Sequence, residues 1–406
     1  MKIRRWHDGK ILAEQPLMDM AGYIGHRGDY HDIFLKWVRE RDIPILMGSE
    51  VTAYSDPPSN KNPSITLSTG TTLTADLIVA SDGIKSLARN LVLGAVDDPV
   101  SSGYACFRAY FSPSEEMLAD PARNAYLVGG DSVNFWIGPD THVVQNTLRG
   151  GREFNWILTH RDEGDVPESW FQPGDMNEVR KLVADIDPAI REAIRSTEKC
   201  LDWKICYRKP LESWVSPVGH RIVLLGDSCH AHLPTSAQGA SQACESAGVL
   251  GACLRLGTES GDGDRGVRIA VATRTYEKLR FPRTRVSQTH GEDLRDRWHN
   301  VLKDVTDGDV EIDPEMVKIK ASLSFLSFLY FHLLSASPHP LLLSFLSIYL
   351  HDLDLELVAH HETDKRKQNR PLYAFDAEQD AYDRWEEISR RVRQELESGR
   401  IEPLCD

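Results

Sequence analysis

The chain has 406 residues, which predicts two or three domains and enough length to bury a sizeable core. Its formal net charge of -14, with lysines and arginines scattered along the sequence, argues against a nucleic-acid partner. Seven widely spaced cysteines and an amino terminus without an apolar stretch predict a reduced, cytoplasmic protein without a secretory signal.

The first segments predict a hairpin and then a helix. Residues Met1 to Leu12 alternate in polarity around an Asp8-Gly9 turn, which is typical of a hairpin that begins in mid-domain. The next segment predicts a helix from the spacing of its apolar residues Ile33, Phe34, Trp37 and Val38. Arg27 lies near the start of this helix, where an arginine can donate a planar fork to a phosphate or carbonyl oxygen. The alternative is a solvated arginine at a helix start.

A buried strand is predicted from Asp76 to Ala80, and it leads into Asp82-Gly83. The strand follows two short extended segments that flank a turn at Gly70. Gly83 allows a close approach to the backbone, and Asp82 offers an acceptor to backbone amides or to a ribose. A strand that ends in Asp-Gly is weak evidence of a site when taken alone.

From Tyr104 to Trp214 the pattern changes to short, aromatic-rich, alternating segments that predict an antiparallel sheet. The predicted strands are YACFRAYF, AYLVG, VNFWIG, THVVQNTL and FNWILTH. One face of this sheet is expected to form a pocket for an apolar or aromatic substrate. Arg108 alternates inward in this pattern, where it would stabilise a phenolate. The alternative for Arg108 is a carboxylate partner on the outer face.

The segment from Arg221 to Gly248 predicts a buried parallel strand, a loop and a tightly packed helix. The strand delivers Asp227 to a loop at its carboxyl end, where ligands bind in open α/β sheets. The helix amino end at Gly239 and Ala240 faces that loop and favours negative charge. Two alternatives are a chance Gly-Asp turn and a metal or nucleophile site built from Cys229, His230 and His232.

These segments together resemble the sequence boxes of the class A flavoprotein monooxygenases, in the salicylate-hydroxylase-like group. GDSCHAHLPTSAQGASQACESAG resembles the family pattern GDAAHAxxPxxGQGxNxAxEDA, and DLIVASDGIKSLAR resembles ADxxIGADGxxSxVR. HRGDYHDIFL resembles HRxDLHxxLL, with Tyr30 in place of a leucine. Two strand-to-Asp boxes in the family's order make the match specific.

The resemblance implies a role for each matched residue. Asp227 would bind the ribityl chain of FAD, and the backbone of Gly239 and Ala240 would lie under the flavin ring. Arg27 would contact FAD, and Asp82-Gly83 would close over the pyrophosphate side. Arg108 stands where related enzymes carry an arginine beside the substrate.

The family's opening strand and GxGxxG loop are not found in the sequence before these boxes. Gly261, Gly263 and Gly266 spell GxGxxG, but the acidic residues between them predict a surface turn. We therefore expect an amino-terminally truncated or misassigned chain. Residues 321–351 contain no Asp, Glu, Lys or Arg. This apolar segment predicts either an insertion or a segment in contact with a membrane.

The predicted fold is α/β, with an FAD-binding domain that lacks its first βαβ unit, an inserted antiparallel or mixed sheet, and carboxy-terminal helices. The expected FAD-binding domain has two parts, at residues 1–100 and 215–305. A substrate-binding sheet domain is expected between them at 101–214, and a carboxy-terminal region at 306–406. The family implies FAD as cofactor, NAD(P)H as co-substrate, no metal, and hydroxylation of an aromatic or related small organic substrate through a flavin hydroperoxide. The alternatives are a non-catalytic remnant and a flavin oxidase or dehydrogenase on the same frame.

Overall fold

The computed structural model describes residues 1–14, 26–58, 61–164, 169, 171–261, 263–300 and 376–404. The strands are β1 Lys2–Arg5, β2 Ile11–Glu14, β3 Val51–Ser55, β4 Ser64–Leu67, β5 Thr72–Thr74, β6 Ile78–Ala80, β7 Val100–Phe111, β8 Ser132–Gly138, β9 Thr141–Leu148, β10 Glu153–Arg161, β11 Pro173–Gly174, β12 Cys200–Tyr207 and β13 Ile222–Leu224. The helices are α1 Arg27–Arg39, α2 Ala88–Leu93, α3 Glu115–Ala119, α4 Met176–Leu182, α5 Pro188–Arg195, α6 Asp227–His230, α7 Gly239–Glu259, α8 Arg265–Asn300 and α9 Ala377–Ser398.

The largest layer is a mixed sheet of eight strands, in the order β11-β12-β7-β10-β9-β8-β1-β2. Its central pairs are antiparallel, as alternation predicted, while β1 joins β8 in parallel. The predicted hairpin therefore exists, but it extends this large sheet although it was expected within the first FAD-binding segment. The pairing joins Lys2 to Asn134, a distance along the chain that local patterns do not reveal.

One predicted strand is wrong. The segment from Ala125 to Gly129 forms turns, in which the Leu127 and Val128 amides both donate to the Asn124 carbonyl. Leu127 is only 1% exposed because it lies in the hydrophobic core below the sheet. The prediction failed because one buried leucine with more exposed neighbours mimics the alternation of buried and exposed residues in a strand.

The covered face of the large sheet carries the main core. It packs the aromatic rings of Phe107, Trp136, Phe154 and Trp156 against α4 and α5. Helix α5 begins at Pro188 after the Asp187 N-cap, which accepts the Ala189 amide at 3.0 Å. Ile190 and Ile194, four residues apart, then face the sheet, and each buried side chain contributes about 1.5–3 kcal/mol.

The opposite face of the sheet is half-exposed, and we call it the open face. Alternation along each strand places these side chains on the same side of the sheet as Arg108. The open face includes Arg108, Tyr110, Val133, Phe135, Val144, Asn146, Asn155, Ile157, Leu201 and Trp203.

Strands β6 and β13 form a parallel pair, and β3, β4 and β5 form a separate antiparallel sheet. Helices α7, α8 and α9 pack against one another beside the parallel pair. Gly261, Gly263 and Asp264 lie exposed between α7 and α8, with positive φ at Gly261 and Gly263, as the predicted surface turn requires. Gly266 instead lies in the first turn of α8 and is buried. Residues 321–351 lie outside the described residues, and no described helix combines the length and apolar character needed to cross a membrane.

Candidate functional site

The two Asp-containing loops meet at one edge of the structure. Strands β6 and β13 pair in parallel, with Ala80 opposite Leu224, so the loops that carry Asp82 and Asp227 leave the same end of the pair. The Ser228 hydroxyl donates to the Ala80 carbonyl at 2.8 Å and ties the loops together. The structure therefore brings the two boxes together in space.

Asp82 organises its own loop. Its Oδ2 atom accepts the Leu87 amide and the Tyr54 hydroxyl, each at 3.1 Å, and the carboxylate remains exposed. Burial, and then the charge of Asp82, raise the pKa of Tyr54, so this tyrosine stays a hydrogen-bond donor. Gly83 has a φ of 79°, a conformation that only glycine adopts without strain.

Two buried arginines fix the Asp82 loop from behind. The Arg89 guanidinium is fully buried and donates to Asp97 at 2.6 Å, to the Ser228 carbonyl at 3.0 Å and to the Lys209 carbonyl at 3.1 Å. Arg208 donates to the Ile84 carbonyl at 2.7 Å. Arg89 thus joins both boxes structurally, a role that spacing in the sequence did not reveal.

Asp227 follows Gly226, whose φ of 70° turns the chain sharply from β13 into α6. The carboxylate is exposed, yet enough protein surrounds it that desolvation raises its pKa. The nearby charge of Arg27 acts in the opposite direction and lowers the same pKa. This combination describes an exposed acceptor that lies close to a guanidinium.

Helix α7 presents an uncapped amino end to the same region. The side chain of Gln238, the N-cap residue, does not hydrogen-bond to the first backbone amides of the helix, and Ala240 is exposed. The first backbone N–H groups of a 21-residue helix therefore remain as donors, with the positive end of the helix dipole behind them. A Cβ atom at Gly239 would meet only His232 Cβ at 3.6 Å, an ordinary contact.

Helix α1 is held at its first turn by contacts with the large sheet. The His26 ring stacks on Tyr110 with 4.5 Å between centroids, and Asp29 accepts from Arg149 at 2.6 Å. These contacts place Arg27 so that its charge lowers the pKa of both Asp227 and Arg108. The charge of Arg27 therefore acts on both Asp227 and Arg108.

Arg108 has an aromatic neighbour in place of a carboxylate partner. Its guanidinium carbon lies 4.1 Å from the centroid of the Trp203 ring, a cation–π contact on the open face. Burial is the main cause that lowers the pKa of Arg108 from its ordinary value, and Arg108 stays cationic. Among the described residues no carboxylate pairs with Arg108, so the outer-face alternative is not supported. Trp203 was missed because it comes from β12, far along the chain.

The alternative site at Cys229, His230 and His232 is not supported. Burial raises the pKa of the Cys229 thiol, which disfavours a thiolate nucleophile. His230 Nε2 lies 2.9 Å from the Ser246 hydroxyl, and burial lowers its pKa. In the part of the chain that the structure describes, no group of three or more His, Cys, Asp or Glu side chains could hold a metal ion.

The residues at this edge fit a flavin nucleotide. Asp227 offers a carboxylate to sugar hydroxyls, and the start of α7 offers amides to carbonyl or anionic oxygens. The Ser86 hydroxyl, in the Asp82 loop, is buried and has no hydrogen-bond partner within the described part of the chain, so it can still bond to a ligand. The open face across from them can cover a planar group.

The chain is similar to known proteins that bind FAD. Residues 23–267 match the FAD binding domain family. The chain is 31% identical over 324 residues to the FAD-dependent monooxygenase fmqB of Aspergillus fumigatus, covering 73% of this chain and 75% of that protein. It is 28% identical over 304 residues to the asperlicin C monooxygenase of Petromyces alliaceus, covering 72% of this chain but 63% of that protein.

Solved structures give the fold. The crystal structure of CtdE in complex with FAD and a substrate superposes with a TM-score of 0.72 at 26% identity, covering 97% of this chain and 82% of CtdE. A salicylate hydroxylase substrate complex superposes with a TM-score of 0.60 at 22% identity, covering 78% and 75%. The mixed sheet and long carboxy-terminal helices are therefore those of FAD-dependent monooxygenases.

Proposed function

Because the chain belongs to the class A FAD-dependent monooxygenases, we propose that it binds FAD along the edge that carries Asp82 and Asp227. With NAD(P)H and oxygen it then hydroxylates an aromatic or related small organic substrate that lies on the open face. The observation that carries this proposal is the parallel pairing of β6 with β13, which brings the Asp82 and Asp227 loops together at one edge. We place the substrate subsite next to the cofactor subsite because the His26–Tyr110 stack holds the start of α1, with Arg27, against the large sheet.

In this proposal the protein supplies position and electrostatics. Asp227 accepts hydrogen bonds from the ribityl hydroxyls, and the amides of Gly239 and Ala240 donate to the flavin ring. Arg27 balances negative charge between the two subsites, and Asp82-Gly83 borders the pyrophosphate. FAD, when bound, supplies the electron transfer to oxygen that no side chain can perform.

Arg108 acts on the substrate. A phenol is more electron-rich as its phenolate, and a cation held in a half-buried position favours that ionised form. The Trp203 ring fixes the guanidinium plane from one side and leaves its N–H groups available to the substrate. The open face around it is mainly apolar, which favours a flat aromatic ligand.

The test is substrate-dependent oxidation of NAD(P)H, with the oxygenated product identified by mass spectrometry. Arg108→Met is expected to lower kcat/KM about 100-fold, since it removes one preorganised charge from the reacting group. Arg400→Met, an exposed arginine at the far end of the chain, is the matched control and should leave kcat/KM unchanged. NAD(P)H oxidation that yields only hydrogen peroxide with every substrate would instead indicate a flavin oxidase.

A further inference from the structure

Two asparagines lie directly opposite each other on the open face. Asn146 in β9 pairs with Asn155 in β10, and both residues are half-exposed. Cross-strand neighbours of this kind have Cβ atoms about 4.5–5.5 Å apart. Val133 flanks the pair on β8, and Tyr110 flanks it on β7. Two primary amides therefore stand side by side between apolar groups.

The amide pair is not saturated by the protein. Among the residues that the structure describes, Asn146 Oδ1 is buried and has no hydrogen-bond partner. The neighbouring Tyr110 hydroxyl cannot serve it, because that hydroxyl donates to Glu153. A buried acceptor without a partner is unfavourable, so its presence in a native protein calls for an explanation.

The covered face of the same sheet offers a direct contrast. There Asn134 Nδ2 donates to Gln145 Oε1 at 2.8 Å, and Asn134 Oδ1 accepts from Arg4 at 3.0 Å. The side-chain amides of Asn134 and Gln145 therefore hydrogen-bond to each other inside the core. The pair on the open face has the same residue chemistry, but there Asn146 Oδ1 has no partner among the described residues.

We propose that Asn146 and Asn155 form a subsite that binds a carboxamide or lactam group of the substrate. Each asparagine amide carries both a donor and an acceptor, and a ligand with an N–H and a C=O group matches this pair. An ester or ether offers acceptors only and would leave Asn146 Oδ1 unsatisfied. This inference rests on the proposed function, because it places the substrate on the open face.

The position of the pair also sets the size of the substrate. Arg108 lies opposite Ile157, which is two residues from Asn155 on the same strand and face. Diagonal neighbours in a sheet are about 7–8 Å apart. One aromatic ring can therefore place a phenolate at Arg108 and an amide at the asparagine pair, so the inferred substrate is an aromatic carboxamide or lactam.

The test compares two probes that differ only in the amide. Binding of 4-hydroxybenzamide and of methyl 4-hydroxybenzoate to the FAD-loaded full chain is measured by isothermal titration calorimetry. The wild type is expected to bind the amide about tenfold more tightly, since it makes the hydrogen bonds that the ester cannot. Asn146→Leu and Asn155→Leu should each bring the ratio close to one, through weaker binding of the amide.

Asn177→Leu makes the same change at an exposed position on α4 and should keep the wild-type ratio. If a leucine variant fails to fold by circular dichroism, the Asn155→Ala variant takes its place. Equal affinity of the wild type for both probes, no binding of either probe, or an unchanged ratio in the variants overturns the subsite. Because calorimetry requires no turnover, a chain that binds the amide selectively but oxidises no NAD(P)H contradicts the proposed function and leaves the subsite standing.

Discussion

A buried histidine pair should make this protein sensitive to mild acid. His142 Nδ1 lies 2.9 Å from His299 Nε2, and His142 Nε2 lies 3.1 Å from the Thr159 hydroxyl. The contact joins the large sheet to the carboxy-terminal end of α8, where Trp298 packs against the His142 ring. Burial lowers the pKa of His142 to about 3, with His299 as the second cause.

Burial likewise lowers the pKa of His299 to about 4. Four charged groups surround His299 and partly cancel: Asp140 and Asp296 raise the pKa, while Arg295 and Arg161 lower it. A histidine whose pKa is lower in the folded state stabilises the fold above its unfolded value of 6.5, and that stability is lost as the pH falls toward the folded value.

The magnitude follows from the linkage relation. At about pH 5 each unfolded histidine is almost fully protonated and each folded one is almost neutral, which costs about 2 kcal/mol per residue relative to neutral pH. The pair therefore costs about 4 kcal/mol, a large share of the 5–15 kcal/mol that stabilises a typical domain. Because both folded values lie below 5, this sum depends mainly on the unfolded pKa.

The assay is urea unfolding followed by tryptophan fluorescence at about pH 7.5 and about pH 5. His142→Asn combined with His299→Gln replaces the two facing ring nitrogens with amide groups that can still bond, and it removes both titrations. This double variant should lose about 4 kcal/mol less stability than the wild type between the two pH values. His31→Gln, whose side chain is 73% exposed, should follow the wild type. An identical pH dependence in the double variant and the wild type would refute this reasoning.

Two further substitutions separate binding from folding. Asp227→Ala should weaken FAD binding about tenfold or more, because it removes a charged acceptor. The thermal midpoint of unfolding should stay near the wild-type value. Equal FAD affinity in the variant and the wild type would contradict this role. Arg89→Leu should lower the free energy of unfolding by about 3 kcal/mol, because Asp97 loses its buried partner and the carbonyls of Ser228 and Lys209 lose a donor. A urea midpoint equal to that of the wild type would show that Arg89 does not join the two boxes.

The two strands that lead to Asp82 and Asp227 were accessible from the sequence, because each is a short apolar run that ends near an aspartate. The expectation that the first of them is buried is wrong for Val79, which is 41% exposed. The structure gives Ile78–Ala80 and Ile222–Leu224, each slightly shorter than predicted. Helix α7 was also predicted, and it continues to Glu259, beyond the small residues that identified it.

Other features depend on contacts between distant segments. Trp203 meets Arg108 only because β12 pairs with β7, and no local pattern specifies that register. The same holds for β1 beside β8. Arg89 matched a family pattern in sequence, but its role as a buried link became clear only when its three acceptors were located.

The apolar residues of α1 illustrate the limit of periodicity. Helical spacing of Ile33, Phe34 and Trp37 correctly predicted the helix, yet these side chains are 62%, 58% and 51% exposed in the described structure. Period determines which residues share a face, but it does not determine what covers that face. The predicted domain boundaries likewise stay a prediction.

The most direct test of the account is flavin retention by the full chain. The purified protein is incubated with FAD, free cofactor is removed by gel filtration, and the visible absorption spectrum is recorded. We predict a flavin band that elutes with the wild-type protein at close to one FAD per chain and that is weaker in Asp227→Ala. A correctly folded wild-type chain that elutes without flavin would contradict the assignment of the Asp82 and Asp227 edge as a cofactor site.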